Sequence, residues 1–225
     1  MKVISYAPNF EDVLLARAFR DIREGFYIDI GARDPLDGSV SKFFYDSGWS
    51  GINIVLSDES LDRLTAGRPR DINLHTPGAV AQALASLCRE HAPQSIEFLR
   101  VCVPGSAAPI LESGDWETYR PQVLLCEEHG DGGLDGLLAA VRYQAVYFDG
   151  INRWYVREES AALRAVFATP PNNRDGFVPY ALHRACIERD EALAESQRLE
   201  ALLSSSSPDR GGSLQTKDGI MLQSL

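Results

Sequence analysis

This 225-residue sequence is short of positive charge, of cysteine and of long apolar runs. Lysine and arginine number 22 against 32 aspartates and glutamates, a net charge of −10. A chain this acidic has no electrostatic footprint for wrapping nucleic acid, whose phosphates it repels. Its cysteines, Cys88, Cys102, Cys126 and Cys186, stand far apart, with no C-x-x-C pair and no nearby histidine pattern. That spacing spells out neither a disulfide framework nor a metal site, and buried thiols in a reducing compartment are the expectation. No apolar run approaches the ~20 residues of a membrane span, and the first residues lack the basic-then-apolar pattern of a secretion signal. Both point to a cytoplasmic protein. The G-x-G-x-x-G of dinucleotide enzymes is missing. Neither Ser106 nor Ser113 belongs to a visible Ser–His–acid set, so hydrolase chemistry has no support.

What is present is ordinary globular material: 44% hydrophobic and 24% charged residues, enough for one core domain plus an appendage. Phe10, Val13, Leu14 and Phe19 recur at helical spacing, with Asn9 placed to cap that helix and Glu11 and Asp12 suited to its first turn. Phe26–Ile30 reads as a short buried strand stopping at Gly31-Ala32, the way an open α/β sheet begins. A helix over Ser39–Gly48, a strand over Gly51–Leu56, a helix over Glu59–Ala66 and a broken strand over Ile72–Leu74 follow. Val80–His91 reads as a helix, Ile96–Val103 as a strand buried on both faces, and Ala107–Leu111 as a short helix. Val123–Cys126 is a strand ending in Glu127-Glu128, and Gly133–Val141 is helical. Tyr143–Phe148 and Trp154–Val156 form a hairpin around Asp149-Gly150-Ile151-Asn152. The pattern predicts an α/β domain over residues 1–169, its mostly parallel, doubly wound sheet closed by an antiparallel terminal hairpin. Residues 170–179, opened by Pro170-Pro171, read as a linker or strap. Residues 180–203 read as a polar helix with Leu182, Ile187, Leu193, Leu199 and Leu202 as apolar contacts, and 204–225 as a disordered tail.

Ligands of an open parallel sheet sit beyond the carboxyl ends of its strands, which makes Asp29, Gly31 and Ala32 the first candidates for cofactor binding. A glycine there lets a nucleotide approach the backbone. Ser5–Leu15 and Gly25–Ala32 resemble the start of the FkbM-type methyltransferases. The likeness continues through residues 39–53 (SVSKFFYDSGWSGIN), 68–74, Asp115-Trp116, Arg120-Pro121, Asp149–Val156 and Pro170–Asn172, and so covers most of residues 5–178. The resemblance implies a Rossmann-like class I methyltransferase fold and S-adenosylmethionine as cofactor. It also implies a place in bacterial surface-polysaccharide or natural-product pathways.

The chain departs from the family's pattern on the ligand side. In the family the second strand ends in an acid that grips the cofactor's ribose; here it runs on into Val55-Leu56. The family's later lysine–isoleucine–aspartate–valine–glutamate–glycine stretch, with a further glutamate beyond, reads here Arg100-Val101-Cys102-Val103-Pro104-Gly105-Ser106-Ala107. Cys102, Pro104 and Ala107 stand where carboxylates are implied. The middle is also shortened: after Leu74 only a Pro-Gly connector replaces a longer segment that closes over the adenine, and losing a pocket wall removes apolar cover from a ligand. The aromatic core positions Phe43, Phe44, Trp49, Trp116, Tyr147 and Trp154 are all present.

A charge-assisted hydrogen bond to a ligand contributes roughly 1.5–3 kcal/mol, so losing two or more weakens binding by orders of magnitude. The reading is therefore a pseudo-methyltransferase with an eroded cofactor site and no cofactor. It serves as a binding or assembly subunit, through a protein partner or a second copy docked on Tyr180–Leu203. The alternative is an active S-adenosylmethionine-dependent O-methyltransferase acting on a sugar or related hydroxyl, with Glu127, the best surviving carboxylate, or Asp29 supplying the acid functions. Asn9, Glu11, Asp149, Asn152 and Arg153 are acceptor-side candidates. Asp149-Gly150 equally suits a turn, and Arg153 equally suits pairing with a carboxylate. A third reading is a pocket remodelled for a neutral ligand, made more apolar by Cys102 and Val55. His129 reads as a solvated loop residue, and no metal is expected.

Overall fold

The computed structural model describes residues 3–76, 84–103, 105, 107–128 and 133–206. Pro104, Ser106, His129, the first four residues of the helix expected from Val80 and the tail from 207 onward lie outside them. The chain divides into two compact units, residues 1–180 and 181–225.

The first unit is built on a seven-stranded sheet. Its strands are β2 (Phe26–Ile30), β3 (Ser50–Val55), β4 (Ile72–His75), β5 (Phe98–Val101), β6 (Val123–Glu127), β7 (Tyr143–Phe148) and β8 (Asn152–Arg157), in the order β4-β3-β2-β5-β6-β8-β7. All pairings are parallel except those of β8, which runs antiparallel to β6 and β7. This is the expected Rossmann-like class I methyltransferase fold, a doubly wound sheet with a terminal hairpin. Strand order reverses between β2 and β5, the place where such sheets bind ligands.

Alternation along each strand sorts the core into two layers. Ile28, Ile30, Ile52, Ile54, Leu99, Val101, Leu124 and Cys126 face one layer, covered by α4 (Leu84–His91), α5 (Ala107–Glu112) and α6 (Gly133–Ala140). Tyr27, Phe98, Val123, Leu125, Trp154 and Val156 face the other, against α1 (Glu11–Ala18) and α2 (Lys42–Asp46). Phe44, Trp49, Tyr27 and Phe98 form its aromatic centre, with ring centroids 4.7–6.4 Å apart. A 3₁₀ segment, Glu158–Ala168, kinked at Ser160, adds Leu163, Val166 and Phe167 to this layer. The helix after β3 is α3 (Asp58–Gly67), capped by Ser57, whose Oγ accepts from Ser60 N.

Three expectations change. The helix expected over Ser39–Gly48 shrinks to α2 because Ser39 and Ser41 serve a buried arginine instead. The strand expected over Ile96–Val103 shortens to β5. Asn9 does not cap α1: Phe10 holds that position with φ 61°, and the Asn9 amide donates to Asp149 O at 3.1 Å.

Residues 170–179 carry a 3₁₀ turn, Asn173–Asp175, and β9 (Phe177–Pro179), which pairs in parallel with β1 (Val3–Ser5). Arg17 ties this strap to α1. Its guanidinium donates to both Asp175 oxygens at 2.6–2.7 Å and to Val166 O, Thr169 O and Pro170 O. That hydrogen bonding holds the Asp175 carboxyl below its ordinary value. The long helix α7 runs from Tyr180 to Ser206, three residues into the expected tail.

Asp12 anchors β1 from within α1. Fully buried, it accepts from Ser5 Oγ, Tyr6 N and Ala7 N at 2.6–3.2 Å. Burial pushes its carboxyl from 3.8 up to about 6, against the pull of those donors. The folded protein thus holds a proton that the unfolded chain has already released, so this group's contribution falls as pH rises from about 4 to about 6. Across that window, wild-type stability relative to Asp12→Asn should drop by about 2–3 kcal/mol. Parallel unfolding curves for the two proteins at every pH would contradict this.

Candidate functional site

A cleft of about 360 Å³ opens at the carboxyl ends of β2, β3, β5 and β6. Its floor is a polar row set by strand register: Asp29 on β2 lies level with Asn53 on β3 and Arg100 on β5. Parallel strands in register point equivalent side chains to one face, so these residues cap the aromatic layer that begins at Tyr27 and Phe98. Asp29 is 2% exposed and accepts from Arg100 Nη1 at 2.9 Å and Ser41 Oγ at 3.2 Å. Burial opposes the charge of Arg100, but Asp29 beside it keeps the guanidinium protonated. Removing one member of a buried pair leaves the other charge uncompensated. Arg100→Met should therefore cost about 3 kcal/mol in wild type and about 1 kcal/mol in an Asp29→Asn background, measured by urea unfolding. Equal costs in both would refute the pairing.

Beneath the floor lies a second polar network. Arg68, with no exposed surface, donates to Pro35 O, Ser39 Oγ, Ser41 Oγ and Tyr27 Oη, and pairs with Asp71 at 3.5 Å. Asp71 accepts from Tyr27 Oη, Gly51 N and Asn53 Nδ2 at 2.6–3.0 Å. These bonds shape the loop from Arg33 to Ser41 that forms one wall of the cleft.

The structure brings Glu11, Asp29, Gly31, Ala32, Glu127 and Asn152 to this one cleft. Glu11 is 2% exposed; its carboxylate accepts from Asn9 N at 2.9 Å and Asn152 Nδ2 at 3.0 Å, and burial raises its pKa. Glu127 accepts from Cys102 Sγ at 2.8 Å. Burial pushes the Cys102 thiol up to about 11, Arg100 opposing and Glu127 reinforcing, so it is a donor rather than a nucleophile at neutral pH.

Asn9, Asp149 and Arg153 do not line the cleft. Asp149 accepts from Ile151 N, Asn152 N and Trp154 Nε1 at 2.7–2.9 Å, which is turn chemistry. Arg153 donates to Glu128 at 2.9 Å and lies over the Phe148 ring. The cleft is also lined by residues that sequence reading gives no role: Arg33, Asp34, Asp37, Ser39 and Asn53. The signal for Asn53 and Arg100 lay in the strands themselves, where each is a lone polar residue between apolar neighbours on the face shared with Asp29.

Of the two residues expected to make the pocket more apolar, Cys102 lines the cleft and Val55 does not. Five acids, Glu11, Asp29, Asp34, Asp37 and Glu127, line the cleft against Arg33 and Arg100. Val55 is buried with Ala32 and Leu64.

The resemblance implies a ribose-binding carboxylate at the end of β3. At the end of β3, Leu56 is exposed, and Asp58 bonds His75 Nδ1 at 2.7 Å, outside the cleft lining. Exposed Glu59 is 3.8 Å from Arg63. The amides of Gly31 and Ala32 both donate to Ile54 O, at 2.9 and 3.1 Å. The space that Gly31 leaves is filled by protein: a Cβ there would stand 2.1 Å from Cys102 O. Among the described residues, no group of three His, Cys, Asp or Glu side chains could hold a metal ion, and no helix is long and apolar enough to cross a membrane.

No protein-family model matches the chain, and no curated protein matches it. Solved structures are similar to it in fold. A TehB-like SAM-dependent methyltransferase from Corynebacterium glutamicum shares 10% identity with a TM-score of 0.46, over 64% of this chain and 88% of its own. An O-methyltransferase from Bacillus cereus, in complex with SAH, shares 13% identity with a TM-score of 0.46, over 67% and 80%. The 1,6-didemethyltoxoflavin-N1-methyltransferase of Burkholderia thailandensis shares 12% identity with a TM-score of 0.42, over 64% and 76%. At these identities the likeness is one of fold.

Proposed function

We propose that this chain is an FkbM-type methyltransferase-fold protein that has lost its grip on the nucleoside cofactor and serves as a binding or assembly subunit. The resemblance connects it to a glycan or natural-product pathway. The observation that carries this reading is the end of β3, where Val55 is packed into an apolar cluster and Asp58 is turned to His75. Among the described residues, Val55 and Leu56 carry no carboxylate, and Asp58 and Glu59 are not among the residues lining the cleft. Two further features support it: the Gly31 and Ala32 amides are already bonded to β3, and Asp29 is neutralised by Arg100.

A second reading, an active O-methyltransferase on a sugar or related hydroxyl, draws support from the open cleft and the three carboxylates Glu11, Asp29 and Glu127 that line it. Thermal unfolding with S-adenosylmethionine separates the two. A ligand at about 100 times its Kd stabilises a protein by about 2.7 kcal/mol, which raises Tm by about 5–10 °C in a domain of this size. The subunit reading predicts no shift at about 1 mM ligand. A rise of several degrees would favour the enzyme.

A further inference from the structure

The floor of the cleft holds polar atoms that the fold leaves without partners. Asn53 lines the cleft and has no exposed surface. Its amide nitrogen is committed to Asp71 Oδ2 at 3.0 Å and Asn73 Oδ1 at 2.9 Å, which fixes which way round the amide sits. The carbonyl Oδ1, on the other side of that amide, is buried and accepts no hydrogen bond from a described residue. Two strands across the sheet, Arg100 spends Nη1 on Asp29, and its Nε is buried without an acceptor. Buried polar atoms are nearly always paired, so an orphan acceptor and an orphan donor on one cleft floor call for a ligand that supplies both. Hydroxyl groups do so, because each can give its proton to an oxygen such as Asn53 Oδ1 and accept one from a donor such as Arg100 Nε.

The walls call for positive charge. Glu11 is 2% exposed, takes hydrogen bonds from the neutral groups Asn9 N and Asn152 Nδ2, and forms no ion pair with a described residue. A carboxylate buried without a cation is a costly arrangement that an incoming cation relieves. Asp37, exposed on the opposite wall, adds to the field, and the cleft as a whole carries five acids against two arginines. Clefts lined by one sign of charge concentrate ligands of the other.

We propose that this cleft binds a small protonated amine carrying hydroxyl groups, its ammonium beside Glu11 and its hydroxyls on Asn53 Oδ1 and Arg100 Nε. The volume, about 360 Å³, is that of a small-molecule site. This names a ligand for the binding role proposed above, and it rests on that reading in requiring a cleft that no nucleoside occupies.

Calorimetric titration of the full chain with D-glucosamine, at about pH 6.5 so that its amine is protonated, should give a Kd of about 1 mM or tighter. D-Glucose, the same ring with a hydroxyl in place of the ammonium, should bind at least about tenfold more weakly, and so should putrescine, a diamine without hydroxyls. Glu11→Gln should reduce glucosamine to about the level of glucose. Asp37→Asn, on an exposed side chain that folding does not need, should weaken glucosamine about threefold and leave glucose unchanged. Circular dichroism checks that both variants fold; if Glu11→Gln does not, Asp37→Asn carries the test of charge. No saturable heat with glucosamine up to about 10 mM, equal binding of glucose or putrescine, or a folded Glu11→Gln of wild-type affinity would overturn the proposal. Failure of glucosamine leaves the loss of the nucleoside cofactor standing, whereas S-adenosylmethionine binding, titrated separately, would overturn that loss.

Discussion

Arg68→Ala is expected to cost about 3–5 kcal/mol. Its guanidinium is fully buried and donates to Ser39 Oγ at 2.6 Å, to Pro35 O at 2.8 and 3.0 Å and to Ser41 Oγ at 3.2 Å. Alanine removes all of these and leaves Asp71 buried without its cation, 3.5 Å away in the native protein. The effect reaches the cleft, because Ser41 is also the second donor to Asp29. Arg68→Lys should recover little, since one ammonium cannot serve Pro35, Ser39 and Ser41 from a planar fork. Urea unfolding measures both variants. A loss below about 1 kcal/mol for the alanine variant would show that the network is dispensable.

Gly31→Ala is expected to cost about 4 kcal/mol or more, which in a domain of ordinary stability is enough to impair folding. Gly31 has φ +91°, and an added methyl would meet the Cys102 carbonyl oxygen at 2.1 Å and its carbon at 2.8 Å. Both obstacles are main chain of the residue that follows β5, held by the bond from Cys102 N to Ile30 O at 2.8 Å, so neither can turn aside as a side chain would. The experiment also asks why the glycine is there. A glycine kept open for a ligand would tolerate alanine in folding and lose only binding; a glycine that seats β5 against the end of β2 would not tolerate it. Soluble yield and thermal unfolding of the variant decide between these, and a variant of near wild-type Tm would contradict the packing role.

The strands and their order of appearance were legible because alternation is a local signal. Ile28 and Ile30, Ile52 and Ile54, and Leu99 and Val101 mark one buried face in three short segments, and the glycines and prolines between them mark the turns. Register was not legible. That Asp29 lies level with both Asn53 and Arg100 depends on pairing between strands far apart in the chain, and with it went the salt bridge at the cleft floor. Asn9 shows a different failure. An asparagine before two acids carries the local chemistry of a cap, but Phe10 takes the left-handed cap conformation and the hairpin carbonyl of Asp149 claims the amide. That Val55 stands where an acid is expected is implied by the resemblance; what the structure adds is that Asp58, the nearest carboxylate, is engaged by His75.

The decisive test of a scaffold that outlived its cofactor is calorimetric titration of the full chain with S-adenosylmethionine and, separately, with its demethylated product. The account predicts no saturable heat for either at ligand concentrations up to about 1 mM. A saturable isotherm with a Kd of about 10 µM or tighter for either compound would contradict it, and would require a ribose partner other than the end of β3.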